Sequence, residues 1–399
     1  MPGPLNGMKI LDFTTLLPGP YATMCMADMG AEVLKIISPS RYEAGESMSP
    51  TIPDTNISAS RAYLDRNKNY LTLNLKHPHA CEIIQKLITD GGFDIVIEQF
   101  RPGVMGRLKL DYESLRAVKP DIIYCSLSGY GQDGPMVSRA GHDINYIARS
   151  GIVSYSGRKG QCPSLTGMQI ADLASGSYNS VIGILAAAIS RKDSGKGQYI
   201  DVSMTDGMIA FNAFLGAGFL VNGKDIEPEG TFTTGGGFYD FYETKEGKYI
   251  SFGGLEPHFF ANFCNTINRS DLIPGGVAPE NIGGKKEEVR AIIKTKTRDE
   301  WIALFNETDA CVEPVMTLTE VFHQDPLARM RNMVVEVPLP NGKTVTQIAN
   351  PIKFSETKQI YRGVGNKPPS GEGHTKRVLQ ELGYSAKDIE MFESTGLFD

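Results

Sequence analysis

The first 130 residues alternate short runs rich in valine, isoleucine and leucine with helix-length stretches. This alternation constrains the fold more than any other feature of the chain. Residues 8–13 (MKILDF), 32–37 (EVLKII), 68–75 (KNYLTLNL), 94–98 (DIVIE) and 121–127 (DIIYCSL) read as strands. Residues 21–29, 78–90 and 112–118 between them read as helices. Strands apolar on both faces, separated by helices, predict a parallel sheet covered by helices. Residues 172–192 read as one long helix, with Asp172 near its start and Arg191 and Lys192 at the negative end. A strand at 199–202 follows.

The character changes near residue 225. Glycines cluster and aromatics alternate with polar residues, which predicts a small antiparallel unit, then helices at 258–268, 286–295 and 298–306. From about 330 the chain is strand- and loop-rich, with a last helix near 376–382. The expected division is a large domain from 1–200 and 330–399, a linker helix region at 201–224, and a small domain with its return linker at 225–329.

Composition narrows the function. With 399 residues the chain has room for two or three domains. Its 40 basic and 46 acidic residues give a net charge of −6, which argues against nucleic acid as a partner. No uncharged apolar run reaches membrane-spanning length, so no membrane span is expected. The N-terminus lacks the apolar core of a signal peptide. The six cysteines form no C-x-x-C pair and several lie in apolar runs, as in a reducing compartment. The chain reads as cytoplasmic, with no metal site, because no histidine has ligand partners at short spacing.

Gly129–Gly134 matches G-x-G-x-x-G, but Pro135 and the polar residues after it do not open a helix, so it reads as a glycine-rich turn. His142 lies in Gly-His-Asp-Ile-Asn-Tyr before an apolar segment. Locally it reads as a helix-capping His–Asp pair, and alternatively as a catalytic base. Asp172 reads as a helix cap, or as a carboxylate in a small-residue setting that a ligand can approach. Glu256 precedes Pro257 and reads as a turn residue or as a functional acid.

Taken in order, LLPGPYATMCMADMGAEVLKI, LDRNKNYLTLNLKHP, FRPGVMGRLKL, SLSGYGQDGP, AGHDINYIARSG, ADLASGS, SGKGQYIDVSM, GGLEPHF and TDACVEPV resemble one family over nearly the whole chain. It is the class III (CaiB/BaiF-type) CoA-transferase superfamily, and within it the α-methylacyl-CoA racemase branch. The resemblance implies a Rossmann-like parallel-sheet domain built from both chain ends, plus a smaller α/β domain, in an interlocked homodimer. It implies an acyl-CoA thioester as substrate and no cofactor, CoA being part of that substrate.

The resemblance makes His142 and Asp172 the two proton-transfer groups of a 2-methylacyl-CoA racemase, with Glu256 supporting the histidine. The alternative it leaves is a CoA-transferase in which Asp172 is the nucleophile, passing through an acyl anhydride and an aspartyl-CoA thioester. The histidine favours the racemase, because a transferase needs no second base. The α-proton of a thioester has a pKa of about 20 against about 6.5 for free histidine, so transfer lies roughly 18 kcal/mol uphill. A racemase must therefore stabilise the enolate oxygen and hold one base on each face of the α-carbon. An aspartic acid that donates near neutral pH needs a raised pKa, from burial or a neighbouring negative charge.

The resemblance assigns CoA and substrate contacts to Leu73, Asn74, Leu75 and Lys76, and to Gly141, Asp143, Ile144, Asn145 and Tyr146. Arg101 and Arg107 are candidate phosphate or adenine contacts. The racemases carry an arginine just after the second strand. This chain has Ser38-Pro39-Ser40 there, with Arg41 close by. Met204, Met208 and residues 211–219 are candidates for the acyl surface, or ordinary core.

Overall fold

The structure is a computed structural model that describes residues 3–38, 49–277, 282–364 and 373–398. Arg41 lies outside the described residues. The chain forms two compact units. The first comprises Met1–Tyr146, Met168–Met208 and Leu327–Asp399, and the second Ile147–Gly167 and Ile209–Pro326.

The first unit carries a six-stranded, wholly parallel sheet: β1 (Lys9–Phe13), β2 (Glu32–Ile37), β3 (Lys68–Thr72), β4 (Ile95–Glu98), β5 (Ile123–Ser128) and β6 (Tyr199–Ser203). The order is β3-β2-β1-β4-β5-β6. Winding runs outward from β1 in one direction and from β4 in the other, so the carboxyl ends of β1 and β4 flank a topological switch point, where open α/β sheets bind ligands. Val96, Leu11 and Leu34 align across three strands and are essentially inaccessible. Burial of each such side chain stabilises the fold by roughly 1.5–3 kcal/mol.

The helix Pro18–Asp28 starts three residues earlier than the sequence predicts. Proline lacks an N–H that the first turn does not need, so Pro18 and Pro20 open the helix instead of preceding it. All of its residues except Tyr21 are buried. The stretch read as one helix from 172 has two parts, a π-helix at Ala171–Tyr178 running into an α-helix at Asn179–Ser194. Together they span 24 residues with a mean hydropathy of 1.3 in the most apolar window, long and apolar enough by length and composition to cross a membrane. No uninterrupted apolar run of that length occurs in it, because serine, glycine and asparagine residues break up the apolar ones. Within the unit the helix packs against the sheet, and its Arg191 pairs with Asp94 at 3.0 Å.

The chain's end returns to this unit. Arg66 grips Asp28 with two nitrogens at 2.9 and 2.6 Å and donates its third to the Ile348 carbonyl at 2.7 Å. Ile348 ends a hairpin of β7 (Val334–Pro338) and β8 (Thr344–Ile348). Helices His374–Glu381 and Ala386–Ser394 place Leu379 and Phe392, and the turn after them places Phe398, in the same core as Leu11.

The second unit has a three-stranded antiparallel sheet of Asp240–Glu243, Tyr249–Phe252 and Val312–Pro314. Helices Pro257–Thr266, Lys285–Ile293 and Arg298–Phe305 cover it, near the predicted positions. Phe252 stacks on Phe263 at 4.0 Å, and Trp301 donates to the Ile293 carbonyl at 2.7 Å. Residues 147–167, expected in the large domain, belong to this unit. Arg158 holds them there, bound to Asp240 at 2.8 and 2.6 Å and to Glu229 at 3.0 Å. The expected linker region contains two helices, Met204–Ala210 and Leu215–Asn222, and the unit boundary falls within the first.

Candidate active site

The loops leaving β1, β4 and β5 enclose a cleft of about 320 Å³ at the switch point. Leu16 follows β1, Gln99 and Arg101 follow β4, and Tyr130 follows β5. Arg139 and His142 line the same cleft from the longer loop after β5.

Tyr146 anchors that loop. Its buried ring meets Tyr130 edge to face at 5.2 Å, and its hydroxyl donates to the Gly141 carbonyl. A Cβ on Gly129 would lie 2.4 Å from the ring, and one on Gly141 would lie 2.7 Å from it. Any larger residue at either position must displace a tyrosine ring. Gly131 and Gly134 have φ of +85° and +82°, and no helix starts among the glycines, in keeping with a turn.

His142 stands immediately before the helix Asp143–Arg149. Its N–H donates to Asn145 Oδ1 at 3.0 Å, and its carbonyl accepts from the Asn145 N–H at 2.8 Å. Asn145 therefore closes this helix start, and the His–Asp capping pair considered from the local sequence does not form. The imidazole is exposed to the cleft, with no hydrogen-bond partner among the described residues. The neighbouring Asp143 reaches across instead. Its Oδ1 accepts from the N–H groups of Ala171 and Asp172 at 2.7 and 3.1 Å. The cap of the Ala171–Tyr178 segment thus comes from 28 residues upstream, and Asp172 is not its own cap.

Asp172 is half-buried on the π-helical turn. Its carboxylate accepts no hydrogen bond among the described residues. Burial, then the Asp143 charge, push its pKa up to about 7. Burial also raises Asp143, against the two N–H groups that favour its anion. Ser177 Oγ donates to the Asp172 carbonyl at 2.9 Å and to the Pro18 carbonyl at 2.7 Å, fixing the turn. Ser175 Oγ donates to the carbonyl of Met204, a residue that lines the cleft.

The other predicted residues are dispersed. Leu73 is core and Leu75 packs against the core. Asn74 ties its N–H to the Leu397 carbonyl at 2.7 Å, and Lys76 is exposed. These four follow β3 and do not line the cleft. Arg101 does line it, whereas Arg107, exposed at the end of the short helix Val104–Arg107, does not. Ile144 and Asn145 are exposed, and Gly141 and Tyr146 line the cleft. Glu256 belongs to the second unit. It precedes the helix Pro257–Thr266, makes no side-chain cap and is exposed. Met208 is core. Sequence reading passed over Arg139, and its only signal was a basic residue three places before His142.

The sheet order, with a cleft at its switch point, defines a doubly wound α/β protein. The CoA-transferase family III model matches residues 5–375, and the chain belongs to that family. It is 32% identical over 399 residues to an alpha-methylacyl-CoA racemase of Homo sapiens, covering 99% of this chain and 97% of the relative. It is 30% identical over 405 residues to a succinyl-CoA:glutarate CoA-transferase of Homo sapiens, covering 99% and 90%. The crystal structure of a CAIB/BAIF family protein from Brucella suis superposes with a TM-score of 0.80 at 26% identity, covering 96% of this chain and 100% of that one.

Proposed function

We propose that this enzyme is a racemase or epimerase of 2-methylacyl-CoA thioesters, working by 1,1-proton transfer through an enolate. The observation that carries the reading is the link from His142 to Asp172. Asp143, adjacent to His142 in the chain, binds the Asp172 N–H and holds negative charge near a carboxyl whose pKa is pushed up to about 7.

In this reading neutral His142 removes the α-proton from one face while protonated Asp172 delivers one to the other. The reverse reaction exchanges the roles. A carboxyl titrating near neutrality has both of its forms well populated, as reversible acid–base work requires. The enolate oxygen takes its stabilisation from donors in the same cleft. The acyl-CoA is the only organic ligand needed, and the working form is a homodimer, interlocked as the resemblance implies, in which Glu256 of one subunit supports His142 of the other.

The second reading is a CoA-transferase with Asp172 as nucleophile. The presence of Asp172 and the similarity to CoA-transferases favour it. Against it stands His142, since a nucleophilic mechanism through Asp172 needs no second base in the site.

The test is incubation of one enantiomer of a 2-methylacyl-CoA in D₂O, with and without free succinate. Deuterium at the α-carbon and the opposite enantiomer, without succinate, support the racemase. His142→Ala should then cut exchange by at least about 100-fold. CoA appearing on succinate with no α-exchange would overturn the racemase in favour of the transferase.

A further inference from the structure

Among the described residues, the cleft that holds His142 is lined by two arginines and by no aspartate or glutamate; Asp172, whose N–H is held by Asp143, does not itself line it. Arg101 arrives from the loop after β4, and Arg139 from the loop that carries His142. Both are exposed, and neither has an ion-pair partner among the described residues. In a chain of net charge −6, such a concentration of one sign marks an anion site. The two positions differ in reach. Arg139 is three residues from His142, so their Cα atoms lie within about 10 Å of each other by chain length alone. A base must approach the α-carbon to about 3–3.5 Å. An Arg139 side chain turned into the cleft therefore meets a group a short acyl chain away from the reacting carbon. The CoA phosphates are separated from that carbon by the whole pantetheine arm.

We infer that Arg139 is a specificity-determining residue that binds a carboxylate carried on the acyl group, so that the substrate class is the monothioesters of 2-methyl dicarboxylic acids. This rests on the thioester reading above and narrows it. The guanidinium fork suits a carboxylate in two-pronged contact, and a site built for such a charge discriminates strongly against a neutral analogue. No covalent step is added.

The experiment compares 2-methylglutaryl-CoA, with its distal carboxylate free, against the methyl ester of that carboxylate. The ester keeps the CoA and the carbon skeleton and removes the charge. α-Deuterium exchange gives kcat/KM for each, and calorimetric titration gives Kd for each without relying on turnover. The wild-type protein should favour the acid at least tenfold in both measurements. Arg139→Gln should bring both ratios close to one, and Arg139→Lys should retain part of the preference. Equal affinity of the wild-type protein for acid and ester overturns the inference. So does an Arg139→Gln variant that loses acid and ester in equal proportion, because that result assigns the arginine to CoA itself. Acid-selective binding that depends on Arg139, with no α-exchange on either thioester, supports the inference and refutes the racemase.

Discussion

The Asp143 carboxylate caps the turn that carries Asp172, accepting from the Asp172 N–H at 3.1 Å and from the Ala171 N–H at 2.7 Å. One side chain thereby performs two tasks. It holds the π-helical turn in place, and it sets a negative charge near a carboxyl that no hydrogen-bond donor among the described residues stabilises. Burial comes first among the causes that raise Asp172, and this charge adds to it.

Replacing Asp143 by Asn separates the two tasks. The amide oxygen still accepts from both N–H groups, and the charge is gone. Asp172 should then titrate lower, moving from about 7 toward the ordinary carboxylate range without reaching it, because burial remains. The protonated fraction at pH 8 should fall. The limb of the kcat/KM profile that reports Asp172 should shift to lower pH, with a loss of less than about tenfold at pH 8, since one pKa unit is a factor of ten. An unshifted limb would show that burial alone sets the value.

Asp172 also carries a stability cost with a defined pH window. Its folded pKa, about 7, lies above its unfolded value of about 3.9. Its protonation therefore favours the folded state fully below pH 4, and that contribution is lost as pH rises through 7. Asp172→Asn cannot ionise, so it should gain stability relative to the wild-type protein as pH rises from 4 to 8. The gain is bounded at about 4 kcal/mol and reduced by the residue's partial exposure. Paired urea titrations at pH 5 and pH 8 read the difference. A gain independent of pH would mean that the carboxyl titrates normally.

Much of the first unit is legible from residue order alone. Strands β1, β2, β4 and β5 are almost wholly buried and read as apolar runs, whereas β3 is mixed in composition and the edge strand β6 exposes Tyr199 and Asp201. Tertiary relationships are not legible in this way. The bond from Asp143 to the Asp172 N–H links positions 29 residues apart, and periodicity carries no trace of it. A π-turn has the composition of an α-turn, so ADLASGSY reads as ordinary helix. Arg139 acquires meaning only when the β4 loop brings Arg101 to the same cleft. The helix Ala386–Ser394 is a different case. Ser385 and Asp388 form a capping box, a signal present in the sequence but easily passed over in a polar tail.

Gly129 tests the anchoring of the His142 loop. An alanine Cβ would come 2.4 Å from the Tyr146 ring, and that ring is already held by Tyr130 and by its bond to Gly141. The ring must move, and Gly141 and His142 with it. Gly129→Ala should lower stability by about 1–3 kcal/mol. It should lower kcat by more than the unfolded fraction accounts for, because a small misplacement of a base is costly in rate. Activity measured per folded molecule, with the fraction folded read by near-UV circular dichroism, separates the two effects. Full activity per folded molecule would show that Tyr146 does not position the histidine.

Arg66 tests how the two ends of the chain are joined. The side chains of Arg66 and Asp28 are fully buried and paired at 2.6 Å, and the remaining guanidinium nitrogen holds the Ile348 carbonyl. Asn67 adds bonds to Asp28 and to the Ile360 carbonyl, at 2.8 and 2.7 Å. Arg66→Ala leaves the Asp28 carboxylate buried without its main partner, which should cost about 3–5 kcal/mol. Asp28→Asn combined with Arg66→Met removes both charges and should recover a large part of that loss, since the penalty lies in the unpaired ion and not in the missing pair. The single variant should also free the hairpin. Amide hydrogen exchange at 334–348 should then accelerate more than exchange in β1 and β4, where opening requires global unfolding. Equal acceleration in both regions would mean that the pair supports the whole unit and does not specifically fasten the returning chain.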